Sequence, residues 1–265
     1  MSAEPQSGES RVALVTGATR GIGRAVAETL GRDGVRVFIT SRNAEDVAAA
    51  VKELTEDGIT ADGTAADVRS GDDVVRSVAA AVDRFGPIDI LVNNAGRSGG
   101  GVTAQISDEL WNDVVETNLT SVFRVTREVL NAGGMAAKSV GRIINIASTG
   151  GKQGVMLGAP YSASKHAVVG FTKSLGLELA KTGITVNAVC PGYVETPMAR
   201  TVREGYAGHW EIAEEEVLKR FEAKIPLGRY TAPEEVAALV AYLAGPAAAP
   251  ITAQAINVCG GLGNY

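Results

Sequence analysis

Short runs of apolar and β-branched residues alternate with amphipathic segments along most of the chain. Several runs are continuously apolar, which is typical of strands buried on both faces of a parallel sheet. The runs predict strands at 12–16, 35–40, 60–66, 88–92, 142–147, 185–189 and 255–258. The amphipathic segments predict helices at 22–33, 44–57, 72–85, 108–130, 161–181 and 233–244. This alternation predicts an α/β fold with a doubly wound parallel sheet of about seven strands.

One segment interrupts the alternation. Residues 195–229 form a long charged stretch with aromatic residues, between the sixth predicted strand and the last predicted helix. Long excursions of this kind are often lids over a site. We therefore expect one domain over residues 11–265, with a lid at 195–229, after a polar tail at residues 1–10.

Composition and charge exclude several classes of protein. A length of 265 residues with 45% hydrophobic residues fits one domain with a substantial core. The net charge of −5, without a basic run, argues against a nucleic-acid partner. The first ten residues are too polar for a signal peptide, and no window approaches the roughly 18 apolar residues of a membrane span. Two cysteines and two isolated histidines predict a cytoplasmic protein with no disulfide framework and no metal site.

A glycine-rich turn follows the first predicted strand. Gly17, Gly21 and Gly23 stand where the first helix opens. Glycines let the backbone approach a pyrophosphate, and a helix N-terminus offers unpaired N–H groups to an anion. The spacing differs from the common dinucleotide fingerprint, and a plain tight turn is the alternative. The surrounding strand and helix favour a Rossmann-type dinucleotide site.

The residues after the second strand indicate which dinucleotide binds. An NAD-binding fold places an acid there for the ribose 2′-hydroxyl, whereas this chain has Ser41 and Arg42. The planar guanidinium of Arg42 suits a 2′-phosphate, and Arg20 could assist it. Two solvent-facing arginines are the alternative. The sequence therefore predicts NADP(H) as cofactor.

Tyr161 and Lys165 supply the candidate chemistry. Four residues apart on a helix, they lie on one face, about 6 Å apart along its axis. A phenol has an ordinary pKa near ~10, and a neighbouring ammonium favours the phenolate. Ser148, thirteen residues upstream, could donate a hydrogen bond to a substrate carbonyl. These groups could protonate a carbonyl while a hydride arrives, although an exposed aromatic beside a solvated lysine is the alternative.

Five motifs in this order resemble the short-chain dehydrogenase/reductase family over residues 11–265. They are the segment 16–23, Asn93-Asn-Ala-Gly96, Ser148, Tyr161 with Lys165, and Pro191-Gly192. Within that family, the segments 93–101, 116–124, 146–155, 182–198 and 257–265 resemble the type II aromatic polyketide ketoreductases.

The resemblance assigns roles to the catalytic residues. It implies that Tyr161 is the general acid, that Lys165 lowers its pKa and binds the nicotinamide ribose, and that Ser148 polarises the ketone. Asn118 matches the fourth catalytic residue of the family, which supports a water-mediated proton relay. The alternative is that Asn118 is an ordinary polar residue in the middle of a helix.

The glycine turn and the resemblance together define a cofactor-binding set. The adenine is expected at Asp67 and Val68, and the nicotinamide amide at Val194 and Thr196. The full set is Gly17, Thr19, Arg20, Gly21, Ile22, Gly23, Ser41, Arg42, Asp67, Val68, Asn93, Ala95, Gly96, Tyr161, Lys165, Pro191, Gly192, Val194 and Thr196.

The resemblance also implies a substrate, one carbonyl of a poly-β-ketone held on an acyl carrier protein. Ser98 replaces the family proline, which leaves the reduced carbon and the alcohol configuration open. Self-packing of the lid is the alternative for its two aromatic residues. The candidate substrate residues are Ser98, Gly99, Gly100, Thr149, Gln153, Val155, Tyr206 and Trp210.

Carrier docking is a further hypothesis. Arg42, Arg69 and Arg97 each follow a predicted strand and could share one rim of the site, extended by Lys224 and Arg229. Ordinary solvated arginines are the alternative.

The predicted function is an NADPH-dependent ketoreductase of aromatic polyketide (antibiotic) biosynthesis. A β-ketoacyl-carrier reductase of fatty-acid synthesis is one alternative, and alcohol oxidation is another. A silent NADP(H)-binding regulatory protein is a third, against which the intact Asn118, Ser148, Tyr161 and Lys165 argue. The resemblance further implies a homotetramer built through the helices at 108–130 and 161–181.

Overall fold

The computed structural model describes residues 10–265, so residues 1–9 of the predicted tail lie outside the described residues. All seven strands of the sheet are parallel, in the order β3-β2-β1-β4-β5-β6-β7. They are β1 Val12–Thr16, β2 Arg36–Ser41, β3 Ala61–Ala65, β4 Ile90–Asn93, β5 Gly141–Ile146, β6 Ile184–Pro191 and β7 Ala255–Val258. The predicted fold class is confirmed.

Helices connect these strands. They are α1 Gly21–Arg32, α2 Ala44–Glu56, α3 Gly71–Phe85, α4 Asp108–Val115, α5 Ser121–Asn131, α6 Ala159–Glu178, α7 Pro197–Trp210, α8 Glu214–Glu222 and α9 Pro233–Ala244. The segment predicted as one helix over 108–130 is divided by a π-helical turn, Glu116–Thr120, between α4 and α5. The segment 195–229 contains α7 and α8, which the sequence pattern did not predict as helices. Within residues 10–265, no helix is both long enough and apolar enough to cross a bilayer.

Alternate side chains of the five central strands, β2, β1, β4, β5 and β6, belong to two cores, one on each face of the sheet. In β1, Ala13 and Val15 pack in a cluster with residues of α1, α2 and α9. Val12 and Leu14 pack with residues of α3, α5 and α6 on the opposite face. This burial on both faces explains why the strands read as continuous apolar runs.

The strand order places the loops that carry the sequence motifs. Successive strands are added toward one edge of the sheet from β1 to β3 and toward the other edge from β4 to β7. Ligands of open α/β sheets bind at the point between β1 and β4 where this order reverses, beyond the carboxyl ends of the strands. The glycine turn follows β1, Asn94 to Gly96 follow β4, and Ser148 follows β5. One edge of the sheet therefore gathers these motifs.

A buried amide network joins the centre of the sheet to the helices behind it. The Asn93 amide donates to Asn145 Oδ1 at 2.8 Å and to Thr126 Oγ1 at 3.0 Å. The Asn145 amide donates in turn to Thr172 Oγ1 at 2.9 Å. All four residues are buried, so each polar group depends on its neighbour in place of water.

We expect Asn145→Ala to lower the free energy of unfolding by about 2–3 kcal/mol, because the buried amide of Asn93 and the buried hydroxyl of Thr172 each lose one of their two hydrogen bonds. Asn131→Ala, at an exposed position of α5, is the matched control and should change it by under about 0.5 kcal/mol. Urea unfolding at one protein concentration measures both values. Equal effects of the two substitutions would contradict a stabilising network.

Candidate active site

A cleft of about 1110 Å³ runs along the carboxyl edge of the sheet. It is bounded by the loops after β1 to β6 and, on the far side, by α7. All of the predicted site residues line it except Gly23, Asn93 and Asn118. The sequence motifs therefore converge on one cavity, and the three exceptions lie behind its wall.

The glycine turn forms one end of the cleft. Gly17 and Gly21 have φ angles of 65° and 58°, which favour glycine. A Cβ on Gly17 would lie 2.9 Å from the Cα of Ala95, so this turn packs closely against the loop after β4. No side chain caps the N-terminus of α1, so its first N–H groups remain available to an anion.

Gly23 and Asn93 do not line the cleft, and their predicted contact with the cofactor stays a prediction. A Cβ on Gly23 would lie 2.5 Å from the Gly17 carbonyl oxygen, so this glycine permits α1 to pack under its own turn. The Asn93 side chain belongs to the buried amide network. The neighbouring Asn94, which the sequence analysis did not single out, lines the cleft and donates to the carbonyl oxygens of Thr16 and Gly17, each at 2.9 Å.

Two arginines flank a small pocket beside the glycine turn. Thr19, Arg20, Ser41 and Arg42 line it, and Thr19 Oγ1 donates to Ser41 Oγ at 3.4 Å. Neither guanidinium has an ion pair with any residue between 10 and 265. Two cations and two hydroxyl groups can receive a phosphate there.

The catalytic candidates on α6 face the loop after β5. Lys165 is only 6% exposed, its Nζ donates to the Ile146 carbonyl oxygen at 2.7 Å, and it lies 5.9 Å from the centre of the Tyr161 ring. Ser148 is buried, and its Oγ accepts the Gly150 N–H at 2.9 Å. A Cβ on Gly150 would lie 3.3 Å from both Ser148 Oγ and the Tyr161 ring. The three functional groups therefore share one small space.

Burial shifts the pKa values of both Tyr161 and Lys165. It raises the pKa of Tyr161, and a hydrogen bond with Ser148 offsets this only in part. Burial also lowers the pKa of Lys165 to about 8. The predicted lowering of the Tyr161 pKa by Lys165 is therefore not found in the protein alone, because loss of water around the phenol dominates. Tyr161 is a protonated donor at neutral pH, and Lys165 is still cationic there.

Asn118 lies in the π-helical turn, behind the cleft. Its Oδ1 accepts the Arg97 N–H at 2.8 Å, and its amide donates to the Arg97 carbonyl oxygen at 3.0 Å and to Ser164 Oγ at 3.1 Å. Ser164 Oγ donates to the Tyr161 carbonyl oxygen at 2.7 Å. The π turn, a feature frequent at functional sites, therefore joins the loop after β4 to the helix that carries Tyr161. No sequence pattern predicted this turn.

Two loops meet at the mouth of the cleft. The Gly101 N–H donates to the Leu157 carbonyl oxygen at 2.7 Å. A Cβ on Gly100 would lie 1.9 Å from that same oxygen, so only glycine permits this approach. Ser98 and Gly99 continue the wall, opposite Gln153 and Val155.

The aromatic residues of α7 both pack together and line the cleft. The ring centres of Tyr206 and Trp210 lie 4.9 Å apart, and Phe221 of α8 packs edge-on against Tyr206 at 5.1 Å. The Tyr206 hydroxyl also donates to the Met156 carbonyl oxygen, which joins α7 to the loop after β5. The predicted self-packing and the predicted cleft position are both present.

Most of the arginines proposed for carrier docking are already paired. Arg69 bonds to Asp67 and Asp113 at 2.6 Å each, and Arg97 also pairs with Asp113. The hydrogen bond from Arg69 holds the pKa of Asp67 below its ordinary value. Arg229 pairs with Glu235. These contacts favour the reading of ordinary ion pairs for Arg69, Arg97 and Arg229.

Comparison with known proteins identifies this arrangement. The family model described as short chain dehydrogenase matches residues 11–207. A provisionally named ketoacyl reductase of Streptomyces coelicolor is 65% identical over 97% of this chain and 98% of that protein. A provisionally named granaticin polyketide synthase ketoacyl reductase 1 of Streptomyces violaceoruber is 63% identical over 100% of this chain and 97% of that protein.

More distant relatives and a crystal structure extend the comparison. A 3-oxoacyl-acyl-carrier-protein reductase of Vibrio cholerae is 41% identical over 96% of this chain and 98% of that protein. The crystal structure of a variant actinorhodin polyketide ketoreductase with NADPH is 65% identical, with a TM-score of 0.95 over 97% of this chain and 98% of that chain. The chain therefore belongs to the short-chain dehydrogenase family.

Proposed function

We propose that this protein is an NADPH-dependent ketoreductase that reduces one carbonyl of a poly-β-ketone on an acyl carrier protein, in aromatic polyketide antibiotic biosynthesis. The observation that carries the proposal is the convergence of Ser148, Tyr161 and Lys165 in a cleft that also contains the phosphate-binding turn. The substrate class draws support from the relatives at 63–65% identity, whose names refer to ketoacyl or polyketide reduction.

The cleft fits NADPH. The close-packed Gly17 and Gly21 and the uncapped start of α1 suit its pyrophosphate, and Arg20 and Arg42 suit its 2′-phosphate. When bound, NADPH supplies a hydride from C4 of its nicotinamide. Lys165 is the nearby donor for the hydroxyls of the nicotinamide ribose.

The protein's own groups bind the ketone and supply the proton. Ser148 Oγ accepts the Gly150 N–H, and its own proton, which bonds with Tyr161 in the protein alone, can turn to the ketone oxygen. Tyr161 gives its proton to that oxygen as negative charge develops there. The Lys165 ammonium, 5.9 Å from the ring centre, stabilises the phenolate that remains.

Burial raises the Tyr161 pKa, so the phenol is protonated and suited to donate its proton to a ketone oxygen. A regulatory protein without catalysis would not need Ser148, Tyr161 and Lys165 together in the cleft, which argues against that alternative. Reduction of a linear β-ketoacyl chain is the second candidate, because the 3-oxoacyl-acyl-carrier-protein reductase of Vibrio cholerae is 41% identical to this chain.

The remaining features of the proposal concern assembly and location. Exposed Trp111 and Phe123 on the π-interrupted helix and Leu177 on α6 support a homotetramer through these helices. The free, buried cysteines suit a cytoplasmic location. We also propose that residues 195–229 act as a lid within a domain of residues 11–265, since α7 forms one wall of the cleft.

Initial rates of NADPH oxidation with a rigid bicyclic ketone and with an acetoacetyl thioester test the proposed substrate. We expect the bicyclic ketone to have the higher kcat/KM, because the wide cleft can hold a partly cyclised chain. Preference for the thioester would support fatty-acid synthesis. If the protein reduces neither compound, the proposal that it is a reductase is wrong.

Tyr161→Phe should remove the proton donor and lower kcat by at least about 100-fold. NADPH affinity, measured by fluorescence titration, should stay within about twofold, because the ring remains. The assignment of Tyr161 as acid is wrong if the variant retains most of its rate.

Arg42→Ala should raise the KM for NADPH about tenfold or more and leave the KM for NADH unchanged, because a charge-assisted contact to the 2′-phosphate is lost. Arg32→Ala, an exposed arginine at the end of α1, removes the same charge outside the cleft and is the control. An unchanged NADPH-to-NADH preference in Arg42→Ala would refute the contact.

The pH dependence should report Lys165. Its lowered pKa means that the ammonium is lost as the pH rises through about 8, where a solvated lysine would keep it. We expect kcat/KM for NADPH, which reports groups of the free enzyme, to fall over that range. In Lys165→Arg, which stays charged, the decline should move to higher pH. A flat wild-type profile from pH 7 to 9 would argue against this role.

A further inference from the structure

Lys152 has contacts that the proposed reaction does not use. Its Nζ donates to the Tyr265 carbonyl oxygen at 2.9 Å, to Asn257 Oδ1 at 3.0 Å and to the Ala255 carbonyl oxygen at 3.1 Å. An ammonium carries three protons, so each has an acceptor. All three acceptors lie on β7 or on the segment that follows it. Lys152 therefore fastens the loop after Ser148 to residues 255–265.

The segment 259–265 forms a compact turn against the cleft. The Asn257 amide donates to the Gly263 carbonyl oxygen at 3.0 Å, and the Gly263 N–H donates to Cys259 Sγ at 3.3 Å. Leu262 lines the cleft. A Cβ on Gly192 would lie 2.8 Å from the Cβ of Cys259, so the turn also packs against the end of β6.

A second contact joins this turn to the same loop. The Tyr265 hydroxyl donates to the Thr149 carbonyl oxygen at 3.4 Å. The Tyr265 ring lies 5.3 Å from Lys152 Nζ, within the range of a cation–π contact. Lys152 and Tyr265 thus hold the loop 149–153 from two points.

The loop held in this way has no free space beneath it. A Cβ on Gly151 would lie 2.6 Å from the Lys165 carbonyl oxygen, and a Cβ on Gly150 would lie 3.3 Å from both Ser148 Oγ and the Tyr161 ring. The Gly150 N–H also donates to Ser148 Oγ. Thr149 and Gln153 of this loop line the cleft. A small displacement of the loop would therefore move both the cleft wall and the hydroxyl of Ser148.

We propose that Lys152 is a positioning residue, which with Tyr265 fixes the wall formed by Thr149 and Gln153 and thereby determines how the ketone is oriented. This inference rests on the proposed function. It assigns Lys152 no contact with substrate or cofactor, and its effect is expected in ketone binding and in the configuration of the alcohol.

The kinetic test compares Lys152→Met with Lys173→Met, which removes the same charge from an exposed position of α6. With a prochiral bicyclic ketone, Lys152→Met should raise the ketone KM about tenfold, with a smaller fall in kcat and a lower ratio of alcohol enantiomers. The KM for NADPH should stay within about twofold. Lys152→Arg should restore part of the loss. If Lys152→Met matches the control in KM and enantiomer ratio, the inference is wrong.

Hydrogen–deuterium exchange tests the same inference without catalysis. Amides of residues 149–153 should exchange faster in Lys152→Met than in wild type, and the control should not change. If Lys152→Met does not fold, Tyr265→Phe replaces it in this test. Tyr265→Phe loses only the hydroxyl that donates to Thr149, so its amides at 149–153 should exchange faster by a smaller factor. Equal exchange in folded variants would overturn the positioning role. A wild-type protein that reduces no ketone would refute the proposed function, and exchange would still decide whether Lys152 holds the loop.

Discussion

The bond from Lys165 Nζ to the Ile146 carbonyl oxygen is the interaction on which the site depends. It fixes α6 to the carboxyl end of β5, and so sets the position of Tyr161 relative to Ser148. The bond needs a buried ammonium, and burial lowers the pKa of that ammonium to about 8. The same exclusion of water raises the pKa of Tyr161. The exclusion of water therefore affects both the position and the pKa values of the catalytic residues. It strengthens the hydrogen bond from Lys165 and disfavours the charged forms of Lys165 and Tyr161.

The fold could be predicted because its signal is local. Apolar runs such as 12–16 and 142–147 reappear as strands within one residue, since burial on both faces requires a continuous apolar sequence. The division of 108–130 by a π turn could not be predicted, because it depends on contacts of Asn118 with Arg97 and Ser164, which are distant in sequence. The helices of the segment 195–229 were also missed, since its charged pattern resembles that of a loop.

The site was predicted more fully in its composition than in its geometry. Nearly every predicted site residue lines the cleft, because the carboxyl ends of parallel strands meet at one edge. Motif order could not show that the Asn93 side chain points into the sheet while Asn94 lines the cleft, since adjacent residues differ only in direction. Nor could it give the direction of the Tyr161 pKa, which depends on the balance between a neighbouring charge and the loss of water.

The backbone contact between Gly101 and Leu157 has a consequence for how the pocket can change. Because main-chain atoms join the two loops, this contact requires glycine at position 100 but uses none of the side chains that line the walls. Asn118 also holds the backbone of Arg97, the neighbour of Ser98. The position of the two loops and the side chains that face the substrate are therefore set by different parts of the chain. Substitutions of the side chains on the walls can alter which molecule is accepted, while the backbone contact between the two loops remains.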